Sequence, residues 1–180
     1  MLYSVPSRTG GLGITSEIAA ALSNHPRIIG IKESSGDIER IARTVSYTST
    51  NNFSVMVGDD KLAIQGILYG ARGLVSVVGN CFPAEVSRIV HLSRRCRPEY
   101  AHFLEAHLDE FREAIFQGSK TGNVSPNPDT IRHALERMGF RMGTPRLPST
   151  LLTEDSADLI DRAYEQACHS ISESERSRRL

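Results

Sequence analysis

Lys32 is the residue of this sequence with the most distinctive chemistry, because it ends the apolar run Ile28–Ile31. The chain contains 18 arginines but only three lysines, so the choice of lysine here is informative. An amine, unlike a guanidinium group, can lose its proton near neutral pH and attack a carbonyl carbon. The alternative interpretation is a lysine that extends its charged end from the rim of a strand into water.

The residues at the ends of the other predicted strands would complete a site around Lys32. Tyr3 carries a phenol that could move a proton, and Arg8 could hold a carboxylate through paired hydrogen bonds. An amine surrounded by isoleucine side chains loses hydration, which disfavours its charged form and lowers its pKa. The neutral amine can then form a Schiff base with a ketone. Taken singly, Tyr3 is better explained as a core aromatic residue and Arg8 as a solvated loop arginine. Taken together, the residues favour a catalytic set.

The elements that must position these residues alternate between strand and helix. Short β-branched runs recur along the first half of the chain, and each precedes a pattern of helical period. Such alternation predicts a parallel sheet with right-handed crossovers, in which polar groups gather at the carboxyl ends of the strands. An open doubly wound sheet and part of a (β/α)8 barrel both fit. The predicted strands are Leu2–Val5, Ile28–Ile31, Ser54–Val57 and Leu74–Val78.

Start and stop signals place the helices after these strands. The residues that predict helix boundaries are the N-caps Thr15, Asp37 and Asp60, the C-cap Gly70, and Pro83 in a first turn. Beyond Arg97 the strand pattern ends and only helical patterns follow, at about residues 99–116, 128–138 and 154–170.

Composition excludes several functional classes. The 21 basic and 21 acidic residues balance, which gives no reason to expect nucleic acid or an anionic membrane as a partner. The three cysteines are widely spaced and predict neither disulfides nor a zinc site, as is typical of a cytoplasmic protein. Asp59 and Asp60 could form a metal pair, but a helix cap is the simpler role for Asp60. We therefore predict no metal site.

Four segments carry a resemblance to a known family. The segments "LYSVPSRTG" (2–10), "IIGIKESSGD" (28–37), "VGDD" (57–60) and "GARGLVSVVGN" (70–80) occur in the order and spacing of the dihydrodipicolinate synthase family. This family is part of the class I pyruvate-dependent aldolase superfamily, and the resemblance extends over roughly residues 1–150. It implies condensation of pyruvate with aspartate semialdehyde in lysine and diaminopimelate biosynthesis, without a cofactor.

The resemblance also implies roles for individual residues. Lys32 matches the lysine that binds pyruvate as a Schiff base, and Tyr3 matches the proton-relay tyrosine. Arg8 matches the arginine that receives the carboxylate of the aldehyde, and the backbone of Val75 would line the pyruvate site. Ser4 stands where the family usually has asparagine, and Asp129, Thr130 and Arg132 also differ from the family pattern. Self-association to a homodimer or homotetramer is expected by resemblance.

The resemblance implies only part of a barrel. Residues 1–96 match about the last four βα units of a (β/α)8 barrel, 97–170 match a carboxyl-terminal helical region, and 171–180 are predicted to be a disordered tail. We expect a fragment or a misassigned start, a remnant of a decayed gene, or a half that pairs with another half. Two functional alternatives remain: a sialate lyase or 2-keto-3-deoxy sugar-acid aldolase, which generally lacks the arginine at Arg8, and an inactive truncated chain.

Overall fold

The computed structural model describes residues 1–48, 52–117, 128–146, 149 and 152–177. Its sheet has four parallel strands in the order of the sequence. They are β1 (Leu2–Ser4), β2 (Gly30–Glu33), β3 (Ser54–Val57) and β4 (Gly73–Leu74). The predicted parallel α/β fold is therefore confirmed, and β3 begins and ends as predicted.

The two faces of the sheet have different surroundings. Ile31 and Val57 are fully buried and pack in one cluster with Ala19 and Ile41, which lie on helices. Because side chains alternate along a strand, Lys32 lies on the opposite face of β2. On that face Tyr3 is 54% exposed. The helices thus cover one face, and the candidate residues lie on the other.

The described residues form eight α-helices, and the predicted boundary residues Thr15, Asp37 and Gly70 lie at helix ends. Thr15 accepts a hydrogen bond from the Ile18 amide at 3.3 Å, and Asp37 accepts from the Glu39 and Arg40 amides at 3.0 and 3.1 Å. Gly70 has a φ of 103°, as expected of a glycine that ends a helix. The helices are α1 (Ser16–Ser23), α2 (Ile38–Thr48), α3 (Ala63–Leu68), α4 (Pro83–Arg94), α5 (Pro98–Ala106), α6 (Asp109–Gln117), α7 (Asp129–Arg137) and α8 (Glu154–Ser177).

Asp60 was predicted to be a helix cap, and this prediction is wrong. Asp59 is the cap: its carboxylate accepts from the Lys61 amide at 2.9 Å, at the start of the short 3₁₀ helix Asp60–Leu62. The Asp60 carboxylate instead binds the segment after β4, at Ser76 and Val77. The strand β4 ends at Leu74, before this segment, rather than at the predicted Val78.

The chain divides into two compact units, Met1–Gly79 with Ala84–His102, and Asn80–Pro83 with the described part of 103–180.

In the second unit, the predicted helix 99–116 is interrupted before α6. His107 and Leu108 each donate to a carbonyl three residues earlier, and the His107 imidazole pairs with the Ser170 hydroxyl at 2.5 Å. The helix α8 runs to Ser177, beyond the predicted end at Ser170. The sequence-based division at residues 96 and 170 stays a prediction.

Cys81 lies in an aromatic cluster of the second unit, where Phe82 contacts Phe111 and Tyr164 at ring-centroid distances of 5.1 and 5.5 Å. Burial, reinforced by the nearby Cys168 thiol, raises the pKa of Cys81 to about 11. The folded chain keeps the thiol proton at pH values where the unfolded chain has lost it. The contribution of Cys81 to stability is therefore complete below pH 9.0 and is lost as the pH rises toward about 11.

We expect urea denaturation to show this loss as a difference between the wild-type chain and Cys81→Ala. The free-energy gap between the two should shrink as the pH rises from 9.0 toward about 11. The pKa of Tyr164 is also raised, mainly by burial and in part by Cys81, so the difference reports the titration of Cys81 together with its effect on Tyr164. A gap independent of pH over this range would contradict the prediction.

Candidate active site at the carboxyl ends of the strands

The structure brings Tyr3 and Lys32 together. The two residues are directly paired across β1 and β2, so their side chains lie on the same face of the sheet. The Lys32 Nζ lies 4.5 Å from the centroid of the Tyr3 ring, in a cation–π contact that holds the amine against the phenol side chain. Lys32 is half-buried and Tyr3 is exposed.

Gly58 makes the space that the Lys32 side chain occupies. A Cβ atom at this position would lie 2.9 Å from the Lys32 Cε and 3.0 Å from the Glu33 carbonyl oxygen, and it would overlap the Ser34 hydroxyl. The Gly58 amide also donates to the Glu33 carbonyl at 2.8 Å, which ties the end of β3 to β2. Sequence reasoning missed this residue, although a glycine directly after a strand can signal a close approach.

Arg8 and Val75 both lie in segments that follow strands of the sheet. Arg8 ends the 3₁₀ helix Pro6–Arg8 that follows β1, and its amide donates to the Val5 carbonyl at 2.9 Å. Val75 follows β4, and its amide donates to the Val57 carbonyl at 2.8 Å. Both residues are exposed, and both lie at the carboxyl end of the sheet, as do Tyr3 and Lys32.

Ser4 supports the loop that carries Arg8. The Ser4 side chain is buried on the helix-covered side, where its hydroxyl accepts a hydrogen bond from the Ile14 amide at 3.1 Å. This bond connects the end of β1 to the end of the loop. A hydroxyl therefore supplies the acceptor that the loop needs, and the departure from the family's usual asparagine is compatible with an ordered loop.

Glu33 belongs to the opposite side of β2 from Lys32. Its side chain is fully buried, and one carboxylate oxygen accepts from the Ser35 amide at 2.8 Å. The other oxygen has no hydrogen-bond partner in the described part of the chain. Strand alternation sends this carboxylate away from the Lys32 amine.

Neither a metal centre nor a membrane span is evident within the described ranges. No group of three or more histidine, cysteine or acidic residues converges in that part of the chain. None of its helices is both long enough and apolar enough to cross a bilayer. Asp59 and Asp60, the metal pair considered from the sequence, are engaged in separate hydrogen bonds.

The arrangement defines a class of protein: a parallel βα sheet that carries a paired amine and phenol at the carboxyl ends of its strands, where such folds locate their chemistry. A family model described as the dihydrodipicolinate synthetase family matches residues 1–167. The chain belongs to this family.

Relatives and solved structures agree with the family match. The chain is 38% identical over 160 residues to 4-hydroxy-tetrahydrodipicolinate synthase of Xanthomonas campestris, covering 88% of this chain and 50% of the relative. It is 35% identical over 168 residues to the enzyme of that name from Porphyromonas gingivalis, covering 92% and 54%. The chain thus spans about half the length of the curated relatives it matches.

Among solved structures, dihydrodipicolinate synthase from Thermotoga maritima matches with a TM-score of 0.82 at 29% identity, over 92% of this chain and 54% of that one. The 4-hydroxy-tetrahydrodipicolinate synthase of Methylacidiphilum fumariolicum matches with a TM-score of 0.86 at 27% identity, over 98% and 56%. The fold of this chain is therefore that of the family over most of its length.

Proposed function

We propose that this chain supplies the Schiff-base lysine of a 4-hydroxy-tetrahydrodipicolinate synthase, which condenses pyruvate with aspartate semialdehyde. The observation that carries the proposal is the Lys32 amine held 4.5 Å from the centre of the Tyr3 ring, on the open face of a parallel sheet. Family membership supports the same chemistry.

In the proposed reaction the Lys32 amine attacks the keto carbon of pyruvate and water leaves, giving an iminium ion. Loss of a proton from the adjacent methyl group gives an enamine, and the Tyr3 phenol carries protons during these steps. The enamine carbon then attacks the aldehyde carbon of aspartate semialdehyde. The amino group of that substrate displaces Lys32 as the ring closes, which restores the free lysine. No step needs a cofactor.

Two further residues have proposed binding roles. The Arg8 guanidinium would hold the carboxylate of aspartate semialdehyde, for which its planar pair of donors is well suited. The backbone of Val75 would line the pyruvate site. Both residues lie at the same end of the sheet as Lys32, which supports these roles.

The finer fold proposal is that the sheet forms four neighbouring strands of a (β/α)8 barrel. In such a barrel, consecutive strands are adjacent, helices cover the outside and side chains fill the interior. The strand order β1-β2-β3-β4 and the helices packed on one face support this architecture over a doubly wound sheet. Tyr3 and Lys32 would then point into the barrel interior. A homodimer or homotetramer stays a prediction.

The proposal is tested by trapping the iminium ion. We expect the protein, incubated with pyruvate and sodium borohydride, to gain the mass of pyruvic acid less one oxygen atom, with the modified peptide containing Lys32. Absence of this gain at saturating pyruvate would refute the proposal.

A second assay offers pyruvate with aspartate semialdehyde or with a sugar aldehyde. Consumption of the sugar aldehyde alone would favour the sugar-acid aldolase alternative.

A further inference from the structure

Asp60 is a buried carboxylate whose hydrogen bonds all reach one short segment. Asp60 is only 6% exposed, although two consecutive aspartates, Asp59 and Asp60, would ordinarily be expected at the surface. One carboxylate oxygen accepts from the Ser76 hydroxyl. The other accepts from the Val77 amide at 2.9 Å and the Val78 amide at 3.3 Å. A carboxylate that receives three donors from consecutive residues fixes their backbone strongly.

The segment held by Asp60 begins directly after Val75. The Ser76 hydroxyl accepts from the Gly79 amide at 2.7 Å, so the turn is closed on itself as well as bound to Asp60. On its other side, Val75 is fixed to β3 by the bond from its amide to the Val57 carbonyl. The carbonyl group of Val75 therefore lies between two anchored peptide units, and its direction is set by both.

We infer that Asp60 is a positioning residue for the keto-acid site: it holds the turn Ser76–Gly79 so that the backbone of Val75 forms a fixed wall beside Lys32. This inference rests on the proposed function. Asp60 itself makes its bonds within the protein and does not touch the substrate. Its effect is on binding, because a loosened wall binds pyruvate less well while the Lys32 amine remains chemically intact.

The test compares Asp60→Asn with the matched control Asp59→Asn in the borohydride assay. An asparagine at 60 replaces one accepting oxygen with a donor, so the Ser76 bond must reverse its direction or break, and every bond at this position loses the strength that the negative charge supplies. Asparagine at 59 retains the oxygen that caps the Lys61 amide. We expect Asp60→Asn to raise the pyruvate concentration for half-maximal trapping about tenfold or more, with the extent at saturation unchanged. Asp59→Asn should match the wild type.

Amide hydrogen exchange provides the structural readout. In Asp60→Asn the Val77 and Val78 amides should exchange faster than in the wild type, while the Gly58 amide, bonded to Glu33, should not change. If Asp60→Asn does not fold, Ser76→Ala removes one of the three bonds to Asp60, together with the bond from the Gly79 amide, and should raise the half-maximal concentration in the same direction. The inference is overturned if the wild type traps pyruvate and the folded variant has the same half-maximal pyruvate concentration as the wild type. No trapping by the wild type instead overturns the proposed function.

Discussion

The substitution Lys32→Arg is expected to abolish the pyruvate-dependent mass gain completely. A guanidinium group stays protonated over the whole working pH range and cannot form the carbon–nitrogen double bond. Arginine keeps the positive charge and can still stack on the Tyr3 ring, so the contact that holds the side chain is preserved. The loss would therefore report on the amine rather than on the fold. Circular dichroism and the urea midpoint should be close to those of the wild type.

The matched control uses the small number of lysines in the sequence. The double variant Lys61→Arg/Lys120→Arg leaves Lys32 as the sole lysine, and it should trap pyruvate to the wild-type extent. Peptide mapping separates adducts on lysine from adducts on the amino terminus. A mass gain that persists in Lys32→Arg and maps to Lys61, Lys120 or the Met1 amine would contradict the assignment of Lys32.

The placement of Tyr3 and Lys32 at one edge of the sheet could be predicted from the sequence because the strand patterns that carry them are local signals. Each residue lies in a short apolar run, and parallel strands bring such runs into register at one edge of the sheet. The family motif adds the chemical identity of the pair. Secondary-structure signals that act within a few residues, such as the Thr15 and Asp37 caps, were predictable for the same reason.

Features that depend on distant contacts could not be predicted in this way. Asp59 and Asp60 have the same side chain, and only the position of the Ser76 turn decides which one caps and which one is buried. The interruption before α6 likewise accompanies a contact between His107 and Ser170, far apart in sequence. Sequence periodicity carries no information on either contact.

These two kinds of feature have different functions in the proposed site. The strand register brings the reactive amine and phenol together, and this requires only the sheet. Gly58 borders the Lys32 side chain and Asp60 holds the segment after Val75, and sequence reasoning selected neither residue for the site. A family motif therefore identifies the reacting groups, whereas the packing around them decides whether a keto acid fits. Substitutions at Gly58 test this second contribution directly.

Gly58→Ala is expected to destabilise the protein and to displace Lys32. The added methyl group overlaps the Ser34 hydroxyl and lies 2.9 Å from the Lys32 Cε and 3.0 Å from the Glu33 carbonyl oxygen. Overpacking at such a site costs about 1–3 kcal/mol in the free energy of unfolding. The lysine must also move from the Tyr3 ring, so we expect the rate of borohydride trapping to fall about a hundredfold.

The double variant Gly58→Ala/Ser34→Ala separates the two effects. The Ser34 hydroxyl is buried without a hydrogen-bond partner within the described residues, so Ser34→Ala alone should change stability little. Removing this oxygen relieves the worst overlap, and the double variant should recover much of the lost unfolding free energy. It cannot relieve the contact with the Lys32 Cε, so trapping should stay slow while stability returns. Recovery of both properties together would show that Gly58 matters only for folding, because the space beside Lys32 would then contribute nothing to the chemistry.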